Sequence, residues 1–308
     1  MFIRFSIRGI FCMAASVGAL IVPARVAAQS RRGAEELESK IRALVNASGA
    51  ETVAVAFRDL QTGRELLINP GESFHAASTM KVPVMLEVYR QAREGKLSLE
   101  ERLPVKNEFK SIADGSTFSV SPDDDSEQTL YKKVGGTETV RALVRLMIKE
   151  SSNLATDIII ERVSPARVMD LMRRMGARDI KVLRGVEDGK AFERGLNNTT
   201  TARDLLVLLR AIAEGRAVSR AASREMTDIL LEQKFNEGIP AGLPAGVRVA
   251  HKTGSITKIE HDAGVVFLPG RKPYVLVVLV RGIADEKRAH RLIADISRAV
   301  YEDVSKAK

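Results

Sequence analysis

A serine three residues before a lysine is the first pattern in this chain that could do chemistry. The segment "HAASTMKVP" places Ser78 and Lys81 at the start of a predicted helix, and a spacing of three puts both side chains on one helical face. A lysine whose pKa is lowered by burial or nearby positive charge can take the serine proton, and a helix N-terminus offers N–H groups to an oxyanion. By itself the pattern is weak, because Ser255 and Lys258 repeat it in "SITK". A capping serine beside a surface lysine would also produce it.

Two further groups of polar residues follow in the chain. They are Ser151, Ser152 and Asn153 in "ESSNLATD", between two predicted helices, and Lys252, Thr253 and Gly254 in "VAHKTGSI", on a predicted strand. Together with the serine–lysine pair they resemble the three motifs of the penicillin-recognising serine enzymes, the β-lactamases and D,D-peptidases. Class A β-lactamases are the most similar by motif order and spacing. The resemblance covers essentially the whole chain after the first 28 residues.

The resemblance implies roles in proton transfer for three residues. Ser78 would be the acylated nucleophile, and Lys81 would be a base or proton relay. Ser151 would pass a proton to the leaving nitrogen.

The resemblance also implies a substrate-binding set. Asn153 would hold the side-chain amide of the substrate, and Lys252 and Thr253 would bind its carboxylate. The backbone N–H groups of Ser78 and Ser255 would form the oxyanion hole. Gly254 would remove side-chain bulk where the substrate approaches the strand.

The sequence departs from the family pattern at three points. Ser152 stands where the second motif usually has an aspartate that braces its loop. The arginine that commonly assists carboxylate binding is not evident, and His261 or Lys258 are the substitutes that the sequence offers, although either could equally be a solvated strand-end residue. The polar region 106–133 is longer than usual and lies where the active-site rim is expected. We expect it to be an extended surface insertion.

A glutamate that activates water would separate a β-lactamase from a penicillin-trapped D,D-peptidase. The segment "RGVEDGKAFERGLNNTTTARD" offers two candidates. In one register "ERGLN" matches the family's Glu-x-x-Leu-Asn, which makes Glu193 the base and Asn197 its partner. In the other register Glu187 is the base, and its separation from Ser151 is the one the family shows. We favour Glu187, with Glu193 as the rival and a non-catalytic, solvent-exposed loop as the third possibility.

Hydrophobic periodicity predicts strands at both ends of the chain and helices in the middle. The predicted fold class is α/β (α+β) and β-lactamase-like: one antiparallel sheet flanked by the N- and C-terminal helices, with an inserted all-α lobe. The predicted domains are a signal peptide over 1–28 and a catalytic domain over 29–308. The α/β lobe would comprise 29–85 and 221–308, and the helical lobe 86–220.

The first 28 residues predict export. Arg4 and Arg8 precede the apolar run "GIFCMAASVGALIV", and "RVAAQS" carries small residues at cleavage positions, so we expect cleavage before Gln29. Cys12, the chain's one cysteine, lies in this run, so the mature protein would have no disulfide and no thiolate metal site. We expect a periplasmic or secreted monomer without a stable membrane anchor.

No cofactor and no metal site are predicted, because the four histidines show no ligand spacing. The net charge of +9 does not indicate a nucleic-acid partner, since basic and acidic residues alternate and aromatic residues make up 5% of the chain. The expected partner is a small-molecule β-lactam or a peptidoglycan-derived substrate. The leading hypothesis is a class A-type β-lactamase. The alternatives are a D,D-carboxypeptidase or related ester hydrolase trapped by penicillin, and a non-catalytic envelope-binding protein that retains the fold.

Overall fold

The computed structural model describes the backbone of residues 24–306 and the side chains of residues 33–306. The apolar run that predicts an export signal lies outside the described residues. Within residues 24–306, no helix is both long enough and apolar enough to cross a membrane.

The described chain alternates short strands and helices in its first two thirds and ends in three long strands and a helix. Its helices are α1 Ala24–Ser48, α2 Lys81–Arg93, α3 Val140–Lys149, α4 Asn153–Val163, α5 Pro165–Met175, α6 Gly189–Glu193, α7 Ala202–Ala213, α8 Arg220–Leu231 and α9 Glu286–Lys306. Its strands are β1 Thr52–Asp59, β2 Glu65–Ile68, β3 Phe74–His75, β4 Arg102–Pro104, β5 Phe109–Lys110, β6 Thr117–Phe118, β7 Thr137–Thr139, β8 Thr199–Thr200, β9 Arg248–Ile256, β10 Ile259–Phe267 and β11 Tyr274–Arg281. Short 3₁₀ segments span Ala77–Met80, Pro122–Asp124, Leu130–Lys133 and Pro240–Gly242.

One five-stranded antiparallel sheet joins the two ends of the chain. Its strand order is β2-β1-β11-β10-β9, so the N-terminal hairpin pairs with the C-terminal strands through β1 and β11. Three more two-stranded pairs, β3–β8, β4–β7 and β5–β6, lie outside it. The predicted fold class is confirmed.

Both faces of this sheet are buried, and the side-chain alternation of β1 shows why. Val53, Val55 and Phe57 pack into a cluster with residues of α1 and α9. Ala54 and Ala56 point to the opposite face and join the core of the helical region. Because each side of β1 and β11 is buried in a different hydrophobic core, the sequences of both strands are continuous apolar runs.

The helical region differs from the sequence prediction in three details. Helix α3 is capped by Thr139, whose hydroxyl accepts from the N–H of Ala142, although the sequence "TETVRALVRLMIKES" predicts Thr137 as the cap; Thr137 lies in β7. Helices α6 and α8 were not predicted. Helix α7 packs directly on the sheet, and the residue boundaries of the two predicted lobes stay a prediction.

The 106–133 region, which we expected to be an extended surface insertion, is anchored to the rest of the protein. It contains the β5–β6 hairpin and two 3₁₀ turns, and Val120 and Leu130 are buried in the helical core. The carboxylate of Asp125 is also buried. Burial of both apolar and charged groups means that this region positions other parts of the molecule.

Candidate active site

Ser78 lies in a 3₁₀ turn immediately before α2. The turn spans Ala77–Met80, and α2 begins at Lys81. Ala77 has a φ of 44°, a left-handed conformation that is uncommon for residues other than glycine. The turn is tied to the loop before α7, because the N–H of Ala76 donates to the carbonyl of Asn198 at 2.8 Å. The backbone of this turn is strained at Ala77 and held by the hydrogen bond to Asn198. Ser78 lines a cavity of about 490 Å³.

Lys81 points from the start of α2 to the second motif. Its Nζ donates to the carbonyl of Ser151 at 2.6 Å, to Oδ1 of Asn153 at 2.9 Å and to Oγ of Ser151 at 3.2 Å. Burial lowers the pKa of Lys81 to about 8, against the attraction of Asp125, Asp157 and Glu187. The described hydrogen bonds do not include a direct Ser78–Lys81 contact, so Ser151 and Asn153, rather than Ser78, fix the amine.

Ser151 receives two lysines on one hydroxyl oxygen. Lys252 Nζ donates to Ser151 Oγ at 3.0 Å, in addition to the 3.2 Å contact of Lys81. Burial, followed by the charge of Lys81, lowers the pKa of Lys252 well below its usual value. With both lone pairs of its oxygen engaged, the Ser151 hydroxyl keeps its own proton available for the cavity.

Strand β9 lines the cavity next to the turn before α2. It is an edge strand, and Thr253, Gly254 and Ser255 line the cavity together with Ser78. A Cβ added to Gly254 would lie 3.1 Å from the backbone nitrogen of Ser78 and 3.2 Å from Ala77 Cβ. Gly254 therefore lets β9 pack against the turn that carries Ser78, and its expected role in making room for the substrate stays a prediction.

The two candidate glutamates lie in different environments. Glu187 Oε1 accepts from Asn153 Nδ2 at 3.1 Å, and its φ of 57° turns the chain at this point. Burial and the neighbouring charge of Asp124 raise the pKa of Glu187 against the attraction of Lys81. Glu193 is the last residue of α6, is exposed and has no side-chain hydrogen bond within residues 33–306. The structure thus brings Glu187, and not Glu193, to the second motif.

The segment before Glu187 is held by a buried aspartate that the sequence did not single out. Asp157 of α4 accepts from the N–H of Val186 at 2.7 Å, and a Cβ on Gly185 would overlap the same carboxylate. Burial raises the pKa of Asp157 well above its usual value. A single aspartate inside a predicted helix carries no sequence signal of this contact.

Asn197 does not occupy the predicted position beside the base. Its Oδ1 accepts from Arg184 Nη2 at 3.1 Å, whereas the neighbouring Asn198 is buried and bonds to the backbone of Leu183 and Arg184. In the hydrogen bonds of residues 33–306 neither asparagine contacts Glu187. Asn153 supplies the amide contact that was expected from Asn197.

The predicted cation on the strand after the third motif is not supplied by His261. Its ring is buried, Nε2 lies 3.0 Å from the carbonyl of His75, and Nδ1 lies 2.8 Å from the carbonyl of Glu260 and 3.3 Å from the backbone nitrogen of Val280. Burial lowers the pKa of His261 to about 4, so the ring is neutral at pH 7. Lys258 is exposed at the β9–β10 turn and does not line the cavity.

The basic side chains that line the cavity near Glu260 come from α9, which sequence reasoning had assigned only to packing. Lys287 and His290 both line it. His290 Nε2 contacts Glu260 Oε2 at 3.2 Å, and Glu260 raises the pKa of His290. Glu260 Oε1 in turn accepts from Ser255 Oγ at 2.6 Å. The residues were not found from sequence because 30 positions separate Glu260 from His290.

One group of described residues has the composition of a metal-ligand set. Ligand atoms of Glu260, Glu286 and His290 lie within 4.8 Å of one another. The hydrogen-bonded ion pair of His290 and Glu260 accounts for most of this approach without a metal ion. Exposed carboxylates such as Glu286 are ordinary features of a helix N-terminus.

Comparison with known sequences identifies the family of the chain. The sequence model described as the Beta-lactamase enzyme family matches residues 36–304. The curated relatives include the extended-spectrum β-lactamase PER-1 of Pseudomonas aeruginosa, which is 26% identical over 279 residues, with 86% of each chain covered. A β-lactamase of Bacteroides uniformis is 29% identical over 283 residues, covering 87% of this chain and 90% of the relative.

Comparison with solved structures finds the same fold. PBP-A superimposes with a TM-score of 0.77 at 29% identity, covering 88% of this chain and 96% of the other. An ancestral class A β-lactamase superimposes with a TM-score of 0.74 at 27% identity, covering 86% and 99%. A β-lactamase from Sphaerobacter thermophilus gives 0.76 at 27% identity, covering 87% and 98%.

Proposed function

Because the chain belongs to the β-lactamase enzyme family, we propose that it is a class A serine β-lactamase that hydrolyses its substrate through an ester on Ser78. The substrate class is the β-lactams, in which the scissile bond is the amide of a four-membered ring. The envelope-binding alternative is not favoured. No metal or cofactor takes part in the proposed steps.

Acylation uses the groups that meet around Ser151. The Oγ of Ser78 attacks the carbonyl carbon and gives its proton to the basic network that contains Lys81, whose lowered pKa of about 8 allows a neutral amine near physiological pH. The ring C–N bond then breaks, and the hydroxyl of Ser151 gives its proton to the departing nitrogen. Lys252 and Lys81 both donate to Ser151 Oγ and can restore that proton.

Substrate binding uses the β9 wall and the start of α9. Thr253 lines the cavity, and Lys252, whose Nζ donates to the Thr253 carbonyl at 3.0 Å, lies behind it; we propose that a substrate carboxylate binds here, where Lys287 adds an exposed positive charge. The backbone N–H groups of Ser78 and Ser255 are the proposed oxyanion donors. Asn153 faces the same cavity and can receive the substrate's side-chain amide.

Deacylation uses Glu187 as the base that activates water. The water oxygen attacks the ester carbonyl, its proton passes to Glu187, and the Ser78 oxygen leaves with a proton returned by the lysine network. Glu187 keeps an exposed face, so water can reach it.

The observation that carries the proposal is the position of the Asn153 amide. Its Oδ1 accepts from Lys81 at 2.9 Å, and its Nδ2 donates to Glu187 at 3.1 Å. One side chain thus holds the acylation lysine and the deacylation carboxylate together. A D,D-peptidase trapped by penicillin has no use for a carboxylate held at this position, so we favour hydrolysis over trapping.

The test follows turnover and covalent mass with a chromogenic cephalosporin. The wild-type protein should turn over repeatedly. Glu187→Gln should slow ester hydrolysis by at least about 100-fold and accumulate the Ser78 adduct, because general-base catalysis is lost. Glu193→Gln is the matched control and should turn over like the wild type. A wild-type protein that forms one stable adduct is a peptidase, and one that forms none is not a serine enzyme of this kind.

We further propose that the protein is exported and acts as a periplasmic or secreted monomer. The apolar run after Arg4 and Arg8 supports export. Intact-mass measurement on the protein recovered from the cell envelope should give an N-terminus at Gln29. Light scattering should give the mass of one chain, and a precursor of full length or a dimer would contradict the respective proposal.

A further inference from the structure

The buried carboxylate of Asp125 lies where the second motif of this chain lacks one. We propose that Asp125, from the rim segment 121–127, is a positioning residue that replaces the missing second-motif aspartate and holds Ser151 and Asn153 in their reactive geometry. The inference rests on the proposed function and deepens it. It also assigns the long 106–133 region a structural role in the active site, which its polar composition does not suggest.

The contacts of Asp125 converge on the first residues of α4. Its Oδ2 accepts from the backbone N–H groups of Asn153 and Leu154, each at 2.9 Å. The Tyr131 hydroxyl donates to the same oxygen at 2.9 Å, and the Ser152 hydroxyl approaches it at 3.3 Å. The other oxygen accepts from the N–H of Glu127 at 3.1 Å, which fixes the carboxylate within its own turn. Asp125 is 5% exposed, so these contacts replace water.

This carboxylate adds to the ordinary cap of α4. Ser152 already caps the helix, since its Oγ accepts from the N–H of Ala155 at 3.2 Å. Asp125 satisfies the two N–H groups that precede it, and its charge faces the positive end of an 11-residue helix. Both free N–H groups and the helix dipole are therefore satisfied by a residue 27 positions upstream of Ser152.

The same contact fixes the catalytic groups. Asn153 N–H is bonded to Asp125, and the Asn153 side chain bridges Lys81 and Glu187. Ser151 precedes Ser152 with a φ of 57°, a conformation that costs energy in a non-glycine residue and persists only where neighbours hold it. The negative charge of Asp125 also opposes the fall in the pKa of Lys81 that burial causes. Loss of the carboxylate would therefore disturb both the geometry and the protonation of the site.

Asp125 also couples this geometry to the rim. Its neighbours Asp124 and Ser126 line the cavity, and the Ser126 hydroxyl donates to the carbonyl of Glu150 at 2.6 Å. The short segment 124–126 consequently both lines the rim of the cavity and holds the second motif in place.

The experiment moves the carboxylate from position 125 to position 152, the residue that it contacts. It compares the wild type, Asp125→Asn, Ser152→Asp and the double variant Ser152→Asp/Asp125→Asn. Ser152→Asp restores the usual motif aspartate, and aspartate caps a helix as well as serine does. Asp123→Asn is the charge-matched control, since Asp123 is exposed two residues away from Asp125. The readouts are the acylation rate constant, its pH profile and the free energy of unfolding in urea.

We expect Asp125→Asn to slow acylation by about 100-fold, because a small displacement of reacting groups costs about that factor. The acidic limb of the acylation profile should move to lower pH, since removing a negative charge lowers the pKa of Lys81. Ser152→Asp alone should also impair the enzyme, because two carboxylates then share one site. The double variant should be faster than either single variant by about tenfold or more, with the acidic limb returned toward the wild-type position.

Three results would overturn the inference. They are an Asp125→Asn enzyme that acylates like the wild type, a double variant no faster than Asp125→Asn, and an Asp123→Asn enzyme as impaired as Asp125→Asn. If Asp125→Asn does not fold, the double variant decides, because the relocated carboxylate should restore folding. A wild-type protein that forms no adduct refutes the proposed function alone. In that case the unfolding free energies of the four proteins test the contact between Asp125 and the start of α4. If the changes in the two single variants add up to the change in the double variant, positions 125 and 152 are not coupled and the inference fails.

Discussion

At the residue scale, burial decides the protonation of the site more than any single charge. Lys81 is 0% exposed, and loss of hydration is the largest cause of its lowered pKa. Partial loss of hydration also raises the pKa of Glu187. Lys81 and Glu187 therefore have pKa values that lie closer together than those of a free lysine and a free glutamate. The structure places them on the two ends of one amide, that of Asn153, where a proton that moves in acylation and one that moves in deacylation have a common neighbour.

The pH dependence of ester hydrolysis should report the pKa of Glu187. Because that pKa is raised, the base becomes protonated above the ordinary glutamate value of 4.5, and hydrolysis should fall off in that higher range. Asp124→Asn should move the acidic limb to lower pH, since it removes a negative charge that disfavours ionisation of Glu187. Single-turnover hydrolysis of the acyl-enzyme measured from pH 4 to pH 8 gives the limb directly.

The matched control for this pH shift is Asp123→Asn. Asp123 is exposed in the same 3₁₀ turn and does not line the cavity. Its substitution should leave the limb in place. An identical shift in both variants would mean that net charge, and not the position of Asp124, sets the limb.

At the element scale, the site depends on how closely β9 approaches the turn before α2. A strand edge and a 3₁₀ turn meet with no side chain between them, because position 254 is glycine. The close contact sets the distance between Ser78 and Ser255, the two proposed oxyanion donors. It also holds Lys252 within reach of Ser151. Two elements from opposite ends of the chain thus form one catalytic wall.

Gly254→Ala should separate these two elements while the protein still folds. The added Cβ would lie 3.1 Å from the Ser78 nitrogen, which requires a shift of a few tenths of an ångström. We expect acylation to fall by about 10- to 100-fold and the free energy of unfolding to fall by about 1 kcal/mol. Stopped-flow acylation and urea unfolding measure the two effects.

Gly71→Ala is the control for glycine replacement itself. No atom lies within 4 Å of a Cβ at position 71, and its φ is not in the left-handed region. Stability should change by less than about 0.5 kcal/mol and acylation should be unchanged. Equal losses in both variants would contradict the close-approach argument.

At the scale of the whole molecule, one sheet is buried on both faces and carries two cores. The terminal helices α1 and α9 cover one face, and α7 with the rest of the helical region covers the other. The catalytic lysines lie on the side of the helical region, where 0% exposure of Lys81 and Lys252 is possible. Charged groups buried at that depth oppose folding, so the molecule's stability should depend on the pH at which they lose their protons.

This dependence gives a prediction about Lys81→Met. The pKa of Lys81 is about 8 in the folded protein and 10.5 as a free side chain, so between those values the unfolded chain binds more protons. Stability of the wild type should therefore gain up to about 1.4 kcal/mol per pH unit from this residue as the pH rises from 8 toward 10.5. Lys81→Met should lose that slope. Urea unfolding at pH 8 and pH 9.5 measures it, and parallel curves for the two proteins would contradict the lowered pKa.

The sequence by itself determined the family, the sheet formed from both chain ends and the three polar motifs. It could do so because these depend on local signals, such as a serine three residues before a lysine and the apolar runs of β1 and β11. It also reduced the choice of base to Glu187 and Glu193. Their placement needed the structure, because both belong to the same polar segment and differ only in which neighbours the folded loop gives them.

Tertiary structure decided the contacts between distant residues, which the sequence did not predict. Asn153, rather than Asn197, reaches Glu187, and α9 adds His290 to the cavity that His261 also lines. The run "SPDDDSE" looks like a solvated loop, yet one of its three aspartates is buried against α4. A sequence lists charges without showing which of them lose water on folding. Desolvation and long-range hydrogen bonding therefore assign these residues their parts in the site.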